Sequence, residues 1–164
     1  MMIKNARLVP ELSGGHQGIC QIRVENGRIA EIGDALTPVQ GEQVLDAKGC
    51  TVLPGLIDMH LHFGVSGGDV LGDNFKSLPY RSLEAYHFAL DTLNAGFTTV
   101  RDAGDVDYMV IAMRDLIEEG KLVGPRILCS GKILTPVESG NEYFQGMYDE
   151  CDTPDQVKSA CRRQ

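Results

Sequence analysis

The stretch LPGLIDMHLH, from Leu53 to His62, decides the fold of this chain. An apolar run follows Pro54 and Gly55 and ends in two histidines that are one residue apart. A run that is almost entirely apolar is typical of a parallel β-strand covered on both faces. Because residues i and i+2 of a strand point to the same side, His60 and His62 are predicted to point together from the strand's C-terminal end.

The residues before this stretch predict a small β module and no helix. IKNARLV is a candidate strand, and CQIRVENGRIAEIG is a hairpin pattern with Asn26 and Gly27 as its two-residue turn. EQVLDAKGCTVLPG predicts two further strands that pair around a turn at Gly49. We therefore assign residues 1–53 to a β module.

After Pro54 the pattern alternates between strands and helices. FTTVRDAG and GPRILCSG are predicted strands, and DYMVIAMRDLIEEG is a predicted helix. YRSLEAYHFALDTLNAG is predicted to be a helix with Leu83, Leu90 and Leu93 near one face. A last helix is predicted to open with a capping box at Thr153 and Gln156. The alternation predicts an α/β fold built from βα units around a parallel sheet.

Composition and charge exclude several classes of function. The chain is 43% hydrophobic and 23% charged, which is typical of a globular domain. Its net charge of -8 argues against a nucleic-acid partner or an anionic membrane surface, and no apolar run approaches the roughly 18 residues of a membrane span. Five scattered cysteines without a Cys-x-x-Cys pair predict a reducing, cytoplasmic location.

The two histidines are the candidate metal ligands. The C-terminal ends of parallel strands carry the chemistry in sheets and barrels of βα units. Neutral imidazole is a good zinc ligand, and His60 and His62 side by side could hold one ion. Asp58 points the same way one step deeper, where it could orient the site or join a buried ion pair.

We predict structural or solvent-exposed positions for most other polar candidates. Arg101 and Asp102, at the end of the second strand, either line the pocket or form a structural ion pair. The remaining candidates are His16 in a loop, Asp69 and Asp73 in the loop after the histidines, His87 on the first helix, and Glu118 and Glu119 on the second helix.

PGLIDMHLH resembles the first-strand motif of the metal-dependent amidohydrolase superfamily. AGFTTVRDAG and GPRILCSG resemble the branch of imidazolonepropionase-like enzymes and Xaa-Pro or Xaa-Arg dipeptidases, and the resemblance covers almost the whole chain. It implies a (β/α)8 TIM-type barrel with a β-sandwich. Residues 1–53 would be the N-terminal part of the sandwich, and residues 54–164 would be the first three βα units of an incomplete barrel. His60 and His62 would bind the more buried of one or two divalent metals, with zinc as the expected ion.

The resemblance also implies an activity that this stretch alone does not complete. The implied reaction is hydrolysis of a C–N bond in a small amide, dipeptide or cyclic amide by metal-activated water. A complete barrel takes about 250 residues. The other metal ligands and the usual acid/base Asp, on strands four to eight, are therefore expected beyond Gln164. No catalytic residue is assigned within the chain, and weak metal binding without turnover is expected of it. The third-strand loop, LTPVESGNEYF, lacks the histidine common in this branch, which leaves the substrate open.

Two alternatives remain open at this point. The chain could be a small metal-binding module in which Cys129 or Asp102 completes the site. It could also be a non-catalytic fragment that persists by self-association. A homo-oligomer, or association through the open barrel edge, is expected to use residues 126–130 and 154–164.

Overall fold

The computed structural model describes residues 1–9, 14–16 and 18–164, which divide into two compact units, residues 1–54 and 55–164. The first unit contains strands β1 (Met2–Leu8), β2 (Ile19–Glu25), β3 (Arg28–Gly33), β4 (Val44–Asp46) and β5 (Thr51–Val52). The second contains β6 (Leu56–Leu61), α1 (Val70–Asp73), α2 (Leu78–Asn94), β7 (Phe97–Asp102), α3 (Met109–Glu118), β8 (Arg126–Cys129), β9 (Ile133–Thr135), a 3-10 turn (Asn141–Tyr143), β10 (Tyr148–Glu150) and α4 (Pro154–Arg163). Among the helices of these residues, none has the length and apolar character needed to cross a membrane.

The first unit is a single sheet around β1. The predicted hairpin is confirmed: β2 and β3 are antiparallel, and Asn26 and Gly27 both have positive φ, at 50° and 72°. These values suit a two-residue turn that matches the twist of the strands. Ala6, Cys20 and Ile22 form the core of the unit.

The prediction that β4 and β5 pair with each other is wrong. Both run parallel to β1, β4 beside its first half and β5 beside its last two residues. Lys48 and Gly49, at φ 52° and 79°, form the turn between them. β4 and β5 therefore pair with successive parts of β1: β4 with residues 2–4, and β5 with residues 7 and 8. The turn was correctly located, but the partner of each strand depends on contacts that are distant in sequence.

The second unit is organised by a parallel sheet in the order β6-β7-β8. Leu61 lies opposite Asp102, and Asp102 lies opposite Cys129, so the C-terminal ends of the three strands form one row. Helices α2 and α3 connect these strands, as the alternating pattern predicts. The core consists of Phe63, Ala85, Ala89, Val100, Met109, Val110, Met113 and Ile127.

Strand β6 is more exposed than its apolar sequence predicts. Ile57 is 60% exposed and Met59 is 53% exposed, so the expectation of a strand covered on both faces is wrong in this chain. The reason is its position: β6 is an edge of the three-stranded sheet and has β7 as its one neighbouring strand in the described part of the chain.

The buried face of α2 also differs from the predicted leucine stripe. Leu83 is 73% exposed, whereas Arg81, Ala85 and Ala89 are buried. Small alanines let α2 approach the sheet closely, and a leucine at position 83 falls outside that contact.

The start of α4 confirms the predicted capping box. The hydroxyl of Thr153 accepts from the Gln156 amide at 3.3 Å, and the Gln156 side-chain oxygen accepts from the Thr153 amide at 3.0 Å. These two bonds satisfy donors that have no partner inside the helix.

Close packing against β7 requires a glycine at position 55, directly before β6. A Cβ at this position would overlap the side chain of Thr98 on β7. We expect Gly55→Ala to lower the free energy of unfolding by about 1–3 kcal/mol, the usual cost of overpacking. Gly68→Ala is the matched control, because a Cβ there meets nothing within 4 Å. Urea unfolding followed by circular dichroism measures both; equal stability of the two variants would contradict this account of Gly55.

Candidate functional site

His60 and His62 lie together at the C-terminal end of β6, as predicted. Their ring centroids are 5.3 Å apart, with the ring planes at 74°. His60 is exposed and His62 is half-buried. Asp102 ends the neighbouring strand and Ser130 directly follows β8, so polar side chains from three strand ends share one edge.

The ring of His62 is oriented by a backbone carbonyl. Its Nδ1 lies 2.7 Å from the carbonyl oxygen of Gly104. Because a carbonyl can only accept a hydrogen bond, Nδ1 carries the proton in the neutral ring and Nε2 keeps its free lone pair. This is the arrangement that metal-ligating histidines usually have.

Asp102 fixes the backbone on both sides of that bond. Its side chain is fully buried, and its two carboxylate oxygens accept from the amides of Phe63 and Gly104, each at 3.0 Å. The predicted alternative of an ion pair with Arg101 is wrong, because adjacent residues of a strand point to opposite faces. Asp102 is buried, whereas Arg101 is exposed and its Nε donates to the Met59 carbonyl at 2.7 Å. Asp102 is thus a structural acceptor for two backbone amides.

A second buried acid, Asp105, binds the backbone of Gly64, the residue after Phe63. Asp105 is 1% exposed and accepts from the amides of Gly64 and Val106. Arg81, buried on α2, donates to the Gly64 carbonyl at 2.9 Å. A Cβ at Gly64 would overlap Asp105 and the Met109 side chain, so this contact requires glycine.

Sequence reasoning missed Arg81 and Asp105. The available signals were an arginine on the otherwise apolar face of a predicted helix and a second aspartate in RDAGD. Neither pattern indicates which backbone groups the side chain meets.

Burial sets the electrostatics of the two acids. It raises the pKa of Asp102, against the opposing effect of the Phe63 and Gly104 amides. It also raises the pKa of Asp105 to about 6, and the nearby charge of Asp102 adds to that increase. The site therefore holds two carboxyl groups whose ionised forms are costly and are stabilised mainly by backbone amides.

Asp58, predicted to orient the site or to join a buried ion pair, contacts the backbone of His60. Its carboxylate accepts from the amide of His60 at 3.0 Å. Asp58 therefore helps to hold the backbone at His60 in place.

Two aspartates in the loop after the histidines behave differently. Asp69 is exposed and accepts from the Gly72 amide, in keeping with a solvated loop. The same prediction is wrong for Asp73, which is 2% exposed, accepts from the Ser66 amide at 2.8 Å and pairs with Lys76 at 2.9 Å. Burial acts to raise the pKa of Asp73, but the Ser66 amide and Lys76 outweigh it and lower the pKa overall.

The remaining candidates lie away from the histidine pair. His87 is exposed, and its Nε2 lies 3.5 Å from Asp91. His16 is half-buried, with its Nδ1 3.1 Å from Asp34. Glu118 and Glu119 are on the helix surface, as predicted.

Cys129, a candidate ligand for a self-contained module, accepts a hydrogen bond from Arg114 at 3.5 Å. Burial raises the pKa of its thiol, which disfavours the thiolate that binds metal. Within residues 1–9, 14–16 and 18–164, no group of three or more His, Cys, Asp or Glu side chains is arranged to hold a metal ion. The structure thus brings together two imidazoles of a candidate site.

The chain belongs to the amidohydrolase family, whose model matches residues 51–164. It is 39% identical over 67 residues to a dihydroorotase from Pelobacter propionicus, a match that covers 41% of this chain and 16% of that enzyme. Among solved structures it is similar to a Xaa-Pro dipeptidase with methionine bound in the active site (TM-score 0.78, 29% identity) and to a prolidase in complex with N-methylphosphonate-L-proline (TM-score 0.79, 25% identity). Each of these two similarities covers 99% of this chain and 43% of the other. The chain therefore spans less than half the length of these relatives.

The raised pKa of Asp105 predicts a specific dependence of stability on pH. Between the unfolded value near 3.8 and about 6, the folded state binds more protons than the unfolded state. This carboxyl group therefore contributes a decrease in the free energy of unfolding as pH rises through that window. We expect Asp105→Asn to remove this contribution, so that the stability of the wild type relative to the variant falls by up to about 3 kcal/mol from pH 4 to 6.

Chemical unfolding at several pH values measures that difference. Glu118→Gln, which removes an exposed helix carboxylate, is the control for the loss of one charge. A difference between wild type and Asp105→Asn that stays constant from pH 4 to 6 would refute the proposed pKa.

Proposed function

We propose that these residues belong to a metal-dependent hydrolase of C–N bonds and that His60 and His62 are two of its metal ligands. The observation that carries the proposal is the pair of adjacent imidazoles at the end of a parallel strand, in a chain of the amidohydrolase family. Family members are generally metal-dependent, which supports the same assignment.

The two histidines fit a divalent metal by their chemistry and their hydrogen bonds. His62 presents Nε2 as its free ligand atom because Nδ1 is bound to the Gly104 carbonyl. His60 is exposed at the same edge. Zinc suits imidazole nitrogen. When bound, such an ion would polarise a substrate carbonyl and make a water molecule reactive near neutral pH.

The role of the aspartates in this chain is to hold the backbone around the two histidines in place. Asp102 and Asp105 fix the backbone from Phe63 to Gly64, directly after the second histidine. Asp58 fixes the amide of His60. We assign no acid/base residue among residues 1–164, in line with the family resemblance.

We further propose that residues 54–164 are the first three βα units of a (β/α)8 barrel and that residues 1–53 are part of a β-sandwich domain. The parallel β6-β7-β8 sheet and the crossovers through α2 and α3 support the first part. The five-stranded sheet around β1 supports the second.

The proposed substrate is a small amide, a dipeptide or a cyclic amide. Similarity to a dihydroorotase and to a Xaa-Pro dipeptidase supports this class. A cavity of about 450 Å³ lies between the loop after β6 and the loop after β9, and its lining includes neither His60 nor His62. Its lining combines apolar and polar side chains: Leu71, Asn74, Phe75, Glu142, Tyr143 and Gln145.

We propose a cytoplasmic location, which five free cysteines support. We also propose that the isolated chain self-associates through its open sheet edges. Ile57 and Met59 on β6 and Leu128 on β8 are half or more exposed, and apolar edge strands favour pairing with another chain.

The metal proposal predicts zinc binding that depends on the histidine pair. Two imidazoles leave zinc short of its usual three or four protein ligands, so we expect weak binding by the chain and no turnover. Isothermal titration with zinc should show that His60→Ala abolishes the measurable binding. His87→Ala removes an exposed histidine elsewhere on the same unit and should leave binding unchanged.

Equal zinc binding by His60→Ala and wild type would refute the assigned site. Hydrolysis should be assayed with dipeptides, dihydroorotate and other cyclic amides in the presence of zinc. Robust turnover that vanishes in His60→Ala would show that these residues already hold a complete active site.

Self-association is expected to respond to a charge on the open edge. We expect light scattering to give a mass above that of the 17.9 kDa monomer, rising with concentration. Leu128→Lys places a charge on β8 and should reduce the association. Val123→Lys is the control, because Val123 is 66% exposed but lies outside the strand. A stable monomer at high concentration would overturn the proposal.

A further inference from the structure

The buried carboxylate of Asp102 binds the backbone next to His62 and also the backbone of Gly104, whose carbonyl orients the His62 ring. The Phe63 amide, next along the chain from His62, donates to one oxygen of Asp102. The Gly104 amide donates to the other oxygen, and the carbonyl of this same Gly104 receives the His62 ring. Asp102 therefore stabilises both the backbone that carries the His62 ring and the residue whose carbonyl accepts from that ring.

Gly104 occupies a position that requires glycine. Its φ is 131°, a conformation that favours glycine, and a Cβ would overlap Ile133. Its carbonyl belongs to the peptide unit shared with Asp105, whose N–H donates to the Gly131 carbonyl at 2.7 Å. The amide of Gly104 itself lies on the other side of its Cα, and the way this amide is held fixes where Gly104 lies beside His62. That amide is held by Asp102.

The carboxylate of the neighbouring buried acid, Asp105, accepts from a different pair of amides. Asp105 accepts from the amides of Gly64 and Val106, one residue further along each loop. Its contacts hold the loops together but include neither the amide of Phe63 nor that of Gly104.

We propose that Asp102 is a positioning residue that sets the tautomer and orientation of His62 through Gly104. The role in metal binding rests on the proposed function, whereas the tautomer is a property of the chain itself. In the folded chain, neutral His62 carries its proton on Nδ1 and presents Nε2 at the strand end. Free imidazole side chains in water favour the opposite tautomer, so the effect of Asp102 is observable without metal.

The test is a long-range ¹H–¹⁵N correlation spectrum of the ¹⁵N-labelled chain at about pH 8.5, where histidine is neutral. The His62 signals are assigned by their loss in His62→Gln. We expect wild-type His62 to show the Nδ1–H tautomer. Asp102→Asn keeps the shape but offers one acceptor oxygen in place of two, and we expect its His62 to shift toward the Nε2–H tautomer.

Asp73→Asn is the matched control. Asp73 is also buried and also accepts a backbone amide, from Ser66 in the loop that follows His62. Its carboxylate binds the Ser66 amide and Lys76 and contacts neither Phe63 nor Gly104, so the variant should keep the wild-type tautomer. A general loosening of the loop would instead change His62 in both variants.

Zinc titration of the same samples separates this proposal from the proposed function. We expect zinc to shift the Nε2 resonance of His62 and to bind Asp102→Asn about 10-fold more weakly than wild type. Absence of any zinc effect on wild type, with the tautomer as expected, would refute the metal site and leave the positioning role standing. An Nε2–H tautomer in wild type would overturn the positioning role whether or not Asp102→Asn folds. An unchanged tautomer in folded Asp102→Asn would also overturn it.

Discussion

The parallel register that places Leu61, Asp102 and Cys129 in one row is the constraint on which the rest of the second unit depends. It brings the ends of β6, β7 and β8 to one edge, so that the residues just after each strand meet. His62 and Gly104 are 42 positions apart in sequence and form a hydrogen bond because of this alignment. A shift of one residue in either strand would reverse the faces of its side chains and separate the pair.

The polar contacts at this edge follow from the cost of burying a charge. Asp102 and Asp105 are both almost inaccessible to water, and a buried carboxylate without partners would be strongly unfavourable. Each accepts two backbone amides, which belong to loop residues that have no strand or helix to pair with. The acids therefore satisfy the loop backbone, and the loop backbone satisfies the acids. Glycine at position 64 allows the close approach of Asp105, whereas glycine at position 104 makes room for Ile133.

Features encoded within a few residues could be predicted from the sequence. The Asn26-Gly27 turn, the Thr153 capping box and the histidine pair at the strand end are of this kind, and the structure contains all three. Features that depend on distant partners could not. The pairing of β4 and β5 with β1 and the inward position of Arg81, which donates to the Gly64 carbonyl, are set by residues distant in sequence.

In the candidate site, too, some features could be predicted from local sequence and others depend on distant partners. The His-x-His spacing indicates two ligands, because a strand turns alternate side chains to one side. It does not indicate which nitrogen each ring presents, since that depends on what the other nitrogen contacts. For His62 the answer lies in RDAGD, where Asp102 holds Gly104 and Gly104 holds the ring. In the proposed site, the first strand thus carries the candidate ligand, and Asp102 and Gly104 at the end of the second strand orient it. Under this proposal, a chain with the first motif and without the second would keep both histidines but lose the contact that orients His62.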